Sequence, residues 1–146
     1  MKTRVKDILQ AKGDQVWAVP PDATVFDALK LMADKNIGSV LVMEDGRLVG
    51  ILSERDYARK VILHGRTSHD TPVSEIMTAE VKTISPDEPI DACMALMTER
   101  HIRHLPVVAD EKVIGLISIG DVVKAIIEDQ AFMLDQMEAY IAGQSM

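Results

Sequence analysis

The heptapeptide GILSERD at Gly50–Asp56 returns sixty-five residues later as GLISIGD at Gly115–Asp121. Each copy sets a hydroxyl and a carboxylate three residues apart, Ser53 with Asp56 and Ser118 with Asp121. Two uses suit that spacing. The serine can cap a helix while the acid returns the bond, a capping box, or both side chains can contact a polar ligand. The same spacing at Thr24 with Asp27 and at Ser85 with Glu88 argues for caps. The shared setting, directly after an apolar strand end in both copies, argues for a ligand.

Other residues with chemical potential are few. His101 and His104 in HIRH lie three apart, but no acidic or sulfur partner stands at ligand spacing and His104 reads as the start of a strand, so a metal site is not expected. Arg103 or His104 suits a phosphate contact or an exposed strand-edge charge. His64 and His69 fall in a polar stretch and read as solvated. Cys93 is the only cysteine, within the periodic run IDACMALM, and reads as a small core residue rather than a nucleophile. No nucleophile-base pair and no Gly-x-Gly-x-x-Gly is found, so an enzyme is not expected.

The elements that must position these residues follow from the repeat. Residues 21–62 align with 86–127 without a gap: Pro21-Asp22 meets Pro86-Asp87, Leu31-Met32 meets Leu96-Met97, and Gly50, Ser53 and Asp56 meet Gly115, Ser118 and Asp121. Upstream, VKDIL at 5–9 matches VSEIM at 73–77 with a shift three residues larger. One supersecondary unit is used twice. In each, a short strand (Val16–Val19; Val81–Ile84) precedes a helix with Val25, Leu29 and Met32, or Ile90, Met94 and Met97, on one face. Pro89 suits a first helical turn. SVLVM and RLVGILS flank the turn EDG, and LPVVA and VIGLIS flank DEK, giving two hairpins. A helix follows each, from Asp56 to His64 before Gly65, and from Asp121 as far as Ala142 before Gly143. The segment HGRTSHDTP reads as the linker.

The chain has 146 residues, 47% apolar and 27% charged. Halves of about 70 residues bury too little apolar surface to stand alone comfortably, so each is expected to lean on the other. No run approaches the roughly 20 apolar residues that span a bilayer, and MKTRVKDILQ has no secretory pattern. A cytoplasmic location and no membrane partner are expected. The net charge of −7 argues against general nucleic-acid binding.

The tandem order, the Gly-apolar-apolar-Ser-x-x-Asp strand ends and the RHLPVV run at 103–108 together resemble the CBS domain, specifically a stand-alone CBS pair or Bateman module. The resemblance covers about residues 3–130. It implies an α/β (α+β) fold of tandem βαββα repeats packed with pseudo-twofold symmetry: repeat 1 over 3–65, a linker at 66–72, repeat 2 over 73–130, and a C-terminal helical extension over 131–146. It also implies a regulatory module that binds adenine nucleotides (AMP, ADP, ATP, NAD(H)) or S-adenosylmethionine in two clefts and signals by a conformational change to another protein, with no catalytic cofactor.

In such modules the Asp accepts from the ribose hydroxyls, each charge-assisted bond contributing roughly 1.5–3 kcal/mol, and the Ser and the start of the next helix favour phosphate. Carried onto this chain, one nucleotide cleft is expected to use Ser53, Arg55 and Asp56 with Lys82, Thr83, Ile84, Arg103, His104 and Pro106. The other is expected to use Ser118, Gly120 and Asp121 with Trp17, Ala18, Val19, Gly38, Ser39 and Leu41. Trp17 either stacks on a base or packs in the core. Arg59 and Lys60 suit a longer phosphate chain, and the first cleft is expected to favour the more highly charged ligand. Met133 and Met137 on the final helix suit a helix-helix contact, so a homodimer is expected. The alternative is a scaffold for protein interaction with no ligand.

Overall fold

A computed structural model describes residues 3–144. In chain order its elements are α1 (Val5–Lys12), β1 (Ala18–Val19), α2 (Val25–Lys35), β2 (Ser39–Glu44), β3 (Arg47–Ser53), α3 (Glu54–Lys60), α4 (Ile90–Arg100), β4 (His104–Ala109), β5 (Lys112–Ser118) and α5 (Ile119–Gln144), with short 3-10 turns at Ile62–His64 and Val73–Glu75. This is the mixed α/β architecture expected, with small sheets and a long C-terminal helix. No helix among the described residues is long and apolar enough to cross a membrane.

The fold forms two compact units. The first, Gln15–Lys82, has a three-stranded sheet in the order β1-β2-β3, with β1 parallel and β3 antiparallel to β2. Its core joins Val25, Ala28 and Met32 of α2 to Val40, Val42 and Leu52 of the sheet, and to Val61, Val73 and Ile76. The polar stretch 64–72 is ordered within it. The carbonyls of Ser68 and Thr71 accept from the first N–H groups of α2 (Phe26, 3.0 Å; Val25, 2.8 Å). His69 stacks on Phe26 with centroids 4.0 Å apart rather than standing free in solvent.

The second unit is built from the described residues on either side of the first. The β4–β5 hairpin, α4 and the start of α5 enclose Ile90, Cys93, Met97, Leu105, Val107, Ile117 and Val122, and α1 completes the core with Val5, Ile8 and Leu9. Spatial units and sequence repeats therefore part company at their opening segments. VKDIL packs with the second repeat's sheet, and VSEIM packs with the first's.

The two glycines of the repeated heptad mark where these segments land. A Cβ on Gly115 would stand 2.5 Å from Leu9 Cδ2, and one on Gly50 would stand 2.5 Å from Met77 Sδ. Leu9 and Met77 are the aligned last residues of VKDIL and VSEIM. Both strands need glycine so that a side chain from elsewhere in the sequence can lie flat on the backbone.

Both hairpins turn on two residues with positive φ, Asp45 and Gly46 (51° and 77°) and Asp110 and Glu111 (50° and 65°), the type I′ geometry whose twist suits adjacent strands. Both carry an irregularity in register at equivalent places, Val42/Met43 and Val107/Val108.

The first strands are shorter than their apolar runs suggest. Val16–Val19 contributes only β1, and Val81–Ile84 only a single parallel bridge from Ile84 to Val107. The difference has a local cause. In the first unit the Leu41 N–H donates to the Trp17 carbonyl at 3.0 Å. The residue aligned with Leu41 is Pro106, which has no N–H to give.

Other boundaries move as well. Helix α3 stops at Lys60, before buried Val61, and a separate 3-10 turn carries the chain to Gly65 at φ 70°. α5 starts at Ile119 rather than Asp121 and runs through Gly143 to Gln144. Pro89 is the N-cap of α4 rather than part of its first turn.

Candidate functional site

The two Ser-x-x-Asp motifs form matching corners, one in each unit. In the first unit Ser39 pairs with Ser53 across β2–β3, and the Glu54 N–H donates to the Gly38 carbonyl at 3.1 Å. In the second, His104 pairs with Ser118 across β4–β5, and the Ile119 N–H donates to the Arg103 carbonyl at 2.8 Å. Strand start, strand end and helix start meet at one point because the hairpin register brings the first residue of one strand opposite the last of the other.

Both motifs act as capping boxes. The Ser53 N–H donates to Asp56 Oδ2 at 2.9 Å and the Asp56 N–H to Ser53 Oγ at 3.2 Å. The corresponding bonds at Ser118 and Asp121 measure 2.8 and 3.2 Å. The other two candidate boxes are incomplete. Thr24 accepts from the Asp27 N–H without a return bond, and Ser85 accepts from Asp87 rather than Glu88.

Each carboxylate also holds a lysine. Lys60 Nζ lies 3.3 Å from Asp56 Oδ1 and donates to the Ile76 carbonyl at 3.0 Å. Lys12 Nζ donates to Asp121 Oδ2 at 2.6 Å and to the Leu116 carbonyl at 3.0 Å. One ammonium thus bridges an acid and a main-chain oxygen at each corner. Lys60 is local, four residues along α3, whereas Lys12 comes from the end of α1. Lys12 lies outside every motif of the repeat, and no sequence signal pointed to it.

Charge follows from these contacts. Partial burial pushes the Asp121 carboxyl up, but hydrogen bonds from Lys12 and Ser118 outweigh it and hold the group below the usual carboxylate range. His104 is lowered, first by burial and then by repulsion from Lys12, with Asp121 opposing, so it favours the neutral imidazole. Cys93 is pushed up to about 11 by burial and by Glu88, so its thiol stays protonated and inert at neutral pH.

Gly38 and Ser39, expected in the cleft of Ser118 and Asp121, lie beside Ser53, Arg55 and Asp56 at the first corner, and Arg103 and His104, expected in the cleft of Ser53 and Asp56, lie beside Ser118, Gly120 and Asp121 at the second. Pro106 and Leu41 are buried in their sheets, and Ala18 is exposed on β1 beside buried Val19. Ile84 is bridged to β4, with exposed Lys82 and Thr83 leading into it. Trp17 packs against the first unit's core, with Lys35 Nζ 4.3 Å from its ring centroid. Its ring thus packs on the core with a cation over one face.

His101 ends α4 in the left-handed conformation (φ 55°), as Asn36 ends α2, while His104 sits in β4, so the two histidines belong to different elements. Among the described residues, no three His, Cys, Asp or Glu side chains converge as a metal site. Ser39 is buried, and its Oγ has no hydrogen-bond partner among the described residues.

Comparison with known proteins adds to this geometry. The sequence profile of the CBS domain matches residues 5–63 and 73–128. The CBS domain-containing protein CBSX3, mitochondrial, of Arabidopsis thaliana is 41% identical over 97% of this chain and 73% of its own length. A protein with CBS domains from Burkholderia ambifaria superposes with a TM-score of 0.85 at 53% identity, covering 88% of this chain and 96% of that one. The CBS domain pair of protein MJ0100, solved in complex with 5-methylthioadenosine and S-adenosyl-L-methionine, superposes with a TM-score of 0.76 at 29% identity over 87% of this chain and 98% of its own.

Proposed function

Since the chain belongs to the CBS domain family, whose paired repeats are regulatory modules, we propose that it senses an adenosine-containing nucleotide at its two Ser-x-x-Asp corners and passes the change to another protein, without catalysis. The observation that carries this reading is the pair of corners, each with a carboxylate fixed by a serine N–H and a lysine at the end of a hairpin. A fixed, ionised carboxylate is the acceptor that a ribose diol needs. The unpartnered hydroxyl of Ser39 at the first corner and the adenosine-type ligands of MJ0100 support it. Arg55 and Lys60 at one corner, and Arg103, His104 and Lys12 at the other, supply cations for phosphate or for the charged tail of a sulfonium ligand. AMP, ADP, ATP, NAD(H) and S-adenosylmethionine are the ligands to test. Self-association into a homodimer is part of the same reading, through the exposed apolar side of α5.

Calorimetric titration with that panel tests it. One or more ligands should give saturable heat. At about 100 times its dissociation constant a ligand should stabilise the fold by roughly 2.7 kcal/mol. Asp56→Asn and Asp121→Asn, which keep the shape of the cap, should each weaken a different binding step by at least about tenfold, the loss of one charge-assisted bond. No heat from any of the panel at millimolar ligand sinks the proposal. Binding unchanged in both variants moves the site elsewhere.

One observation favours the competing reading, a ligand-free interaction scaffold. Both carboxylates are already satisfied by the chain's own serine and lysine groups. Nucleotide released on denaturing freshly purified protein would decide for the sensor, and its absence together with silent titrations would decide for the scaffold.

A further inference from the structure

Only the beginning of α5 has a core to face. Val122 and Ala125 are buried in the second unit, and every residue from Gln130 to Gly143 is exposed. Yet the apolar residues do not thin out. Val123, Ile127, Leu134, Met137 and Ile141, with Gln130 among them, alternate in steps of four and three residues. That is the spacing of a two-helix seam, in which every side chain returns to one stripe. The stripe starts one residue past Val122, so it lies about 100° around the helix from the core-facing side. Met133 and Tyr140 flank it.

Ile127, Leu134, Met137, Ile141, Met133 and Tyr140 are each between 56% and 67% exposed. At about 120 Å² apiece this makes about 700 Å² per copy and on the order of 1,400 Å² for a pair, within the range of specific, stable interfaces.

Charge selects the occupant. Beyond Lys124 the helix carries Glu128, Asp129, Asp135 and Glu138 and no basic residue up to Gln144, which disfavours an anionic lipid surface. We infer that α5 pairs with α5 of a second copy as an antiparallel coiled coil, with Leu134 packed on Gln130 of the other copy and Ile127 on Met137. In this register Lys124 of each copy meets Glu138 of the other beside the seam, and the two Ala131 residues approach each other, which small side chains permit. A parallel pair would leave Lys124 and Glu138 two heptads apart and unmatched. This inference rests on the self-association proposed above and specifies its surface and direction.

Sedimentation equilibrium of the full chain, with circular dichroism to verify folding, tests it. The parent protein should be dimeric in the micromolar range, and Ile127→Glu combined with Leu134→Glu, both at exposed positions, should be monomeric with an unchanged spectrum. Lys124→Glu alone and Glu138→Lys alone should each weaken the dimer on the order of tenfold, since each turns two attractive pairs into repulsive ones. The two together should restore it. A monomeric parent at high concentration overturns both this inference and the self-association it rests on. A variant that remains dimeric when Ile127 and Leu134 are charged places the contact on another face and overturns this inference alone. Charge reversals whose effects simply add overturn the antiparallel register.

Discussion

Gly115 should not tolerate alanine, and the reason should be Leu9. Its backbone φ lies outside the left-handed region, so alanine by itself should gain roughly 0.5–1 kcal/mol from a less flexible unfolded chain. Any net loss must come from contacts. The added Cβ would meet Leu9 Cδ2 at 2.5 Å, Cδ1 at 2.9 Å and Cγ at 3.3 Å, all inside the 3.5–4.0 Å at which carbon atoms pack well. Leu9 is buried in one core with Val5, Ile8 and Ile117, so its side chain must repack against them to make room. Forcing it aside should cost about 1–3 kcal/mol, lowering the melting temperature by roughly 3–9 °C for a chain of this size.

Leu9→Ala alone should cost about 2–5 kcal/mol. It removes every atom that Gly115→Ala would strike, so in that background the second substitution should be neutral or favourable. Urea unfolding of the four proteins, followed by far-ultraviolet circular dichroism, reads the coupling directly. Equal costs for Gly115→Ala with and without Leu9 would refute the close approach as the reason for glycine. Gly50 provides a contrast. Its Cβ would strike Met77 and also come within 3.1 Å of the carbonyl of Thr78, a residue tied to Ile51 by paired main-chain bonds of 3.0 and 2.9 Å. Met77→Ala should therefore rescue Gly50→Ala only in part.

Two further outcomes follow from the corners and turns. In a double-mutant cycle of Lys12→Met with Asp121→Asn the pair should be coupled by about 0.5–1 kcal/mol at neutral pH, a modest value because both side chains keep some contact with solvent. The folded Asp121 carboxyl lies below its unfolded value, so this coupling should be complete above about pH 5 and vanish as the pH falls through the folded value; coupling undiminished at pH 2 would contradict the assignment. Glu111→Gly should raise stability by up to about 1 kcal/mol, since Glu111 holds φ 65° where the equivalent residue of the first hairpin is Gly46. A melting temperature that stays level or falls would show that the turn carries no strain.

Much of this was readable from the sequence because it depends on local pattern. The apolar spacing of Val25, Leu29 and Met32, and of Ile90, Met94 and Met97, located α2 and α4, and EDG and DEK located the hairpin turns. Ser53 with Asp56 and Ser118 with Asp121 read as caps by spacing alone and as ligand contacts by their shared place in the repeat, and the structure shows that the cap is made. What stayed hidden is non-local. VKDIL and VSEIM look like the openings of their own repeats, and nothing in five residues says with which sheet they pack. The one trace lay in Gly50 and Gly115, strand glycines that signal a close neighbour without naming it. Pro106 hid the loss of a first strand for the same reason, because its missing N–H matters only once the partner carbonyl is known. Lys12 was out of reach, since a lone exposed lysine at a helix end has no pattern until Asp121 is beside it.

The corners share a backbone but differ in how they are wired to the rest of their units. Asp56 is held by Lys60 one turn along the same helix, a pair of the kind worth about 0.3–0.5 kcal/mol, and Lys60 also reaches the Ile76 carbonyl of the same unit. Asp121 is held by Lys12, which ties α1 at once to the Leu116 carbonyl of β5 and to the first turn of α5. A hydroxyl or phosphate that competes for Asp56 therefore acts on α3 and on the chain at Ile76. One that competes for Asp121 acts on the contact between α1 and the helix that carries the exposed seam. Two motifs of nearly the same sequence are thus anchored unequally, and the inequality comes from the origin of the lysine rather than from the serine and aspartate that repeat.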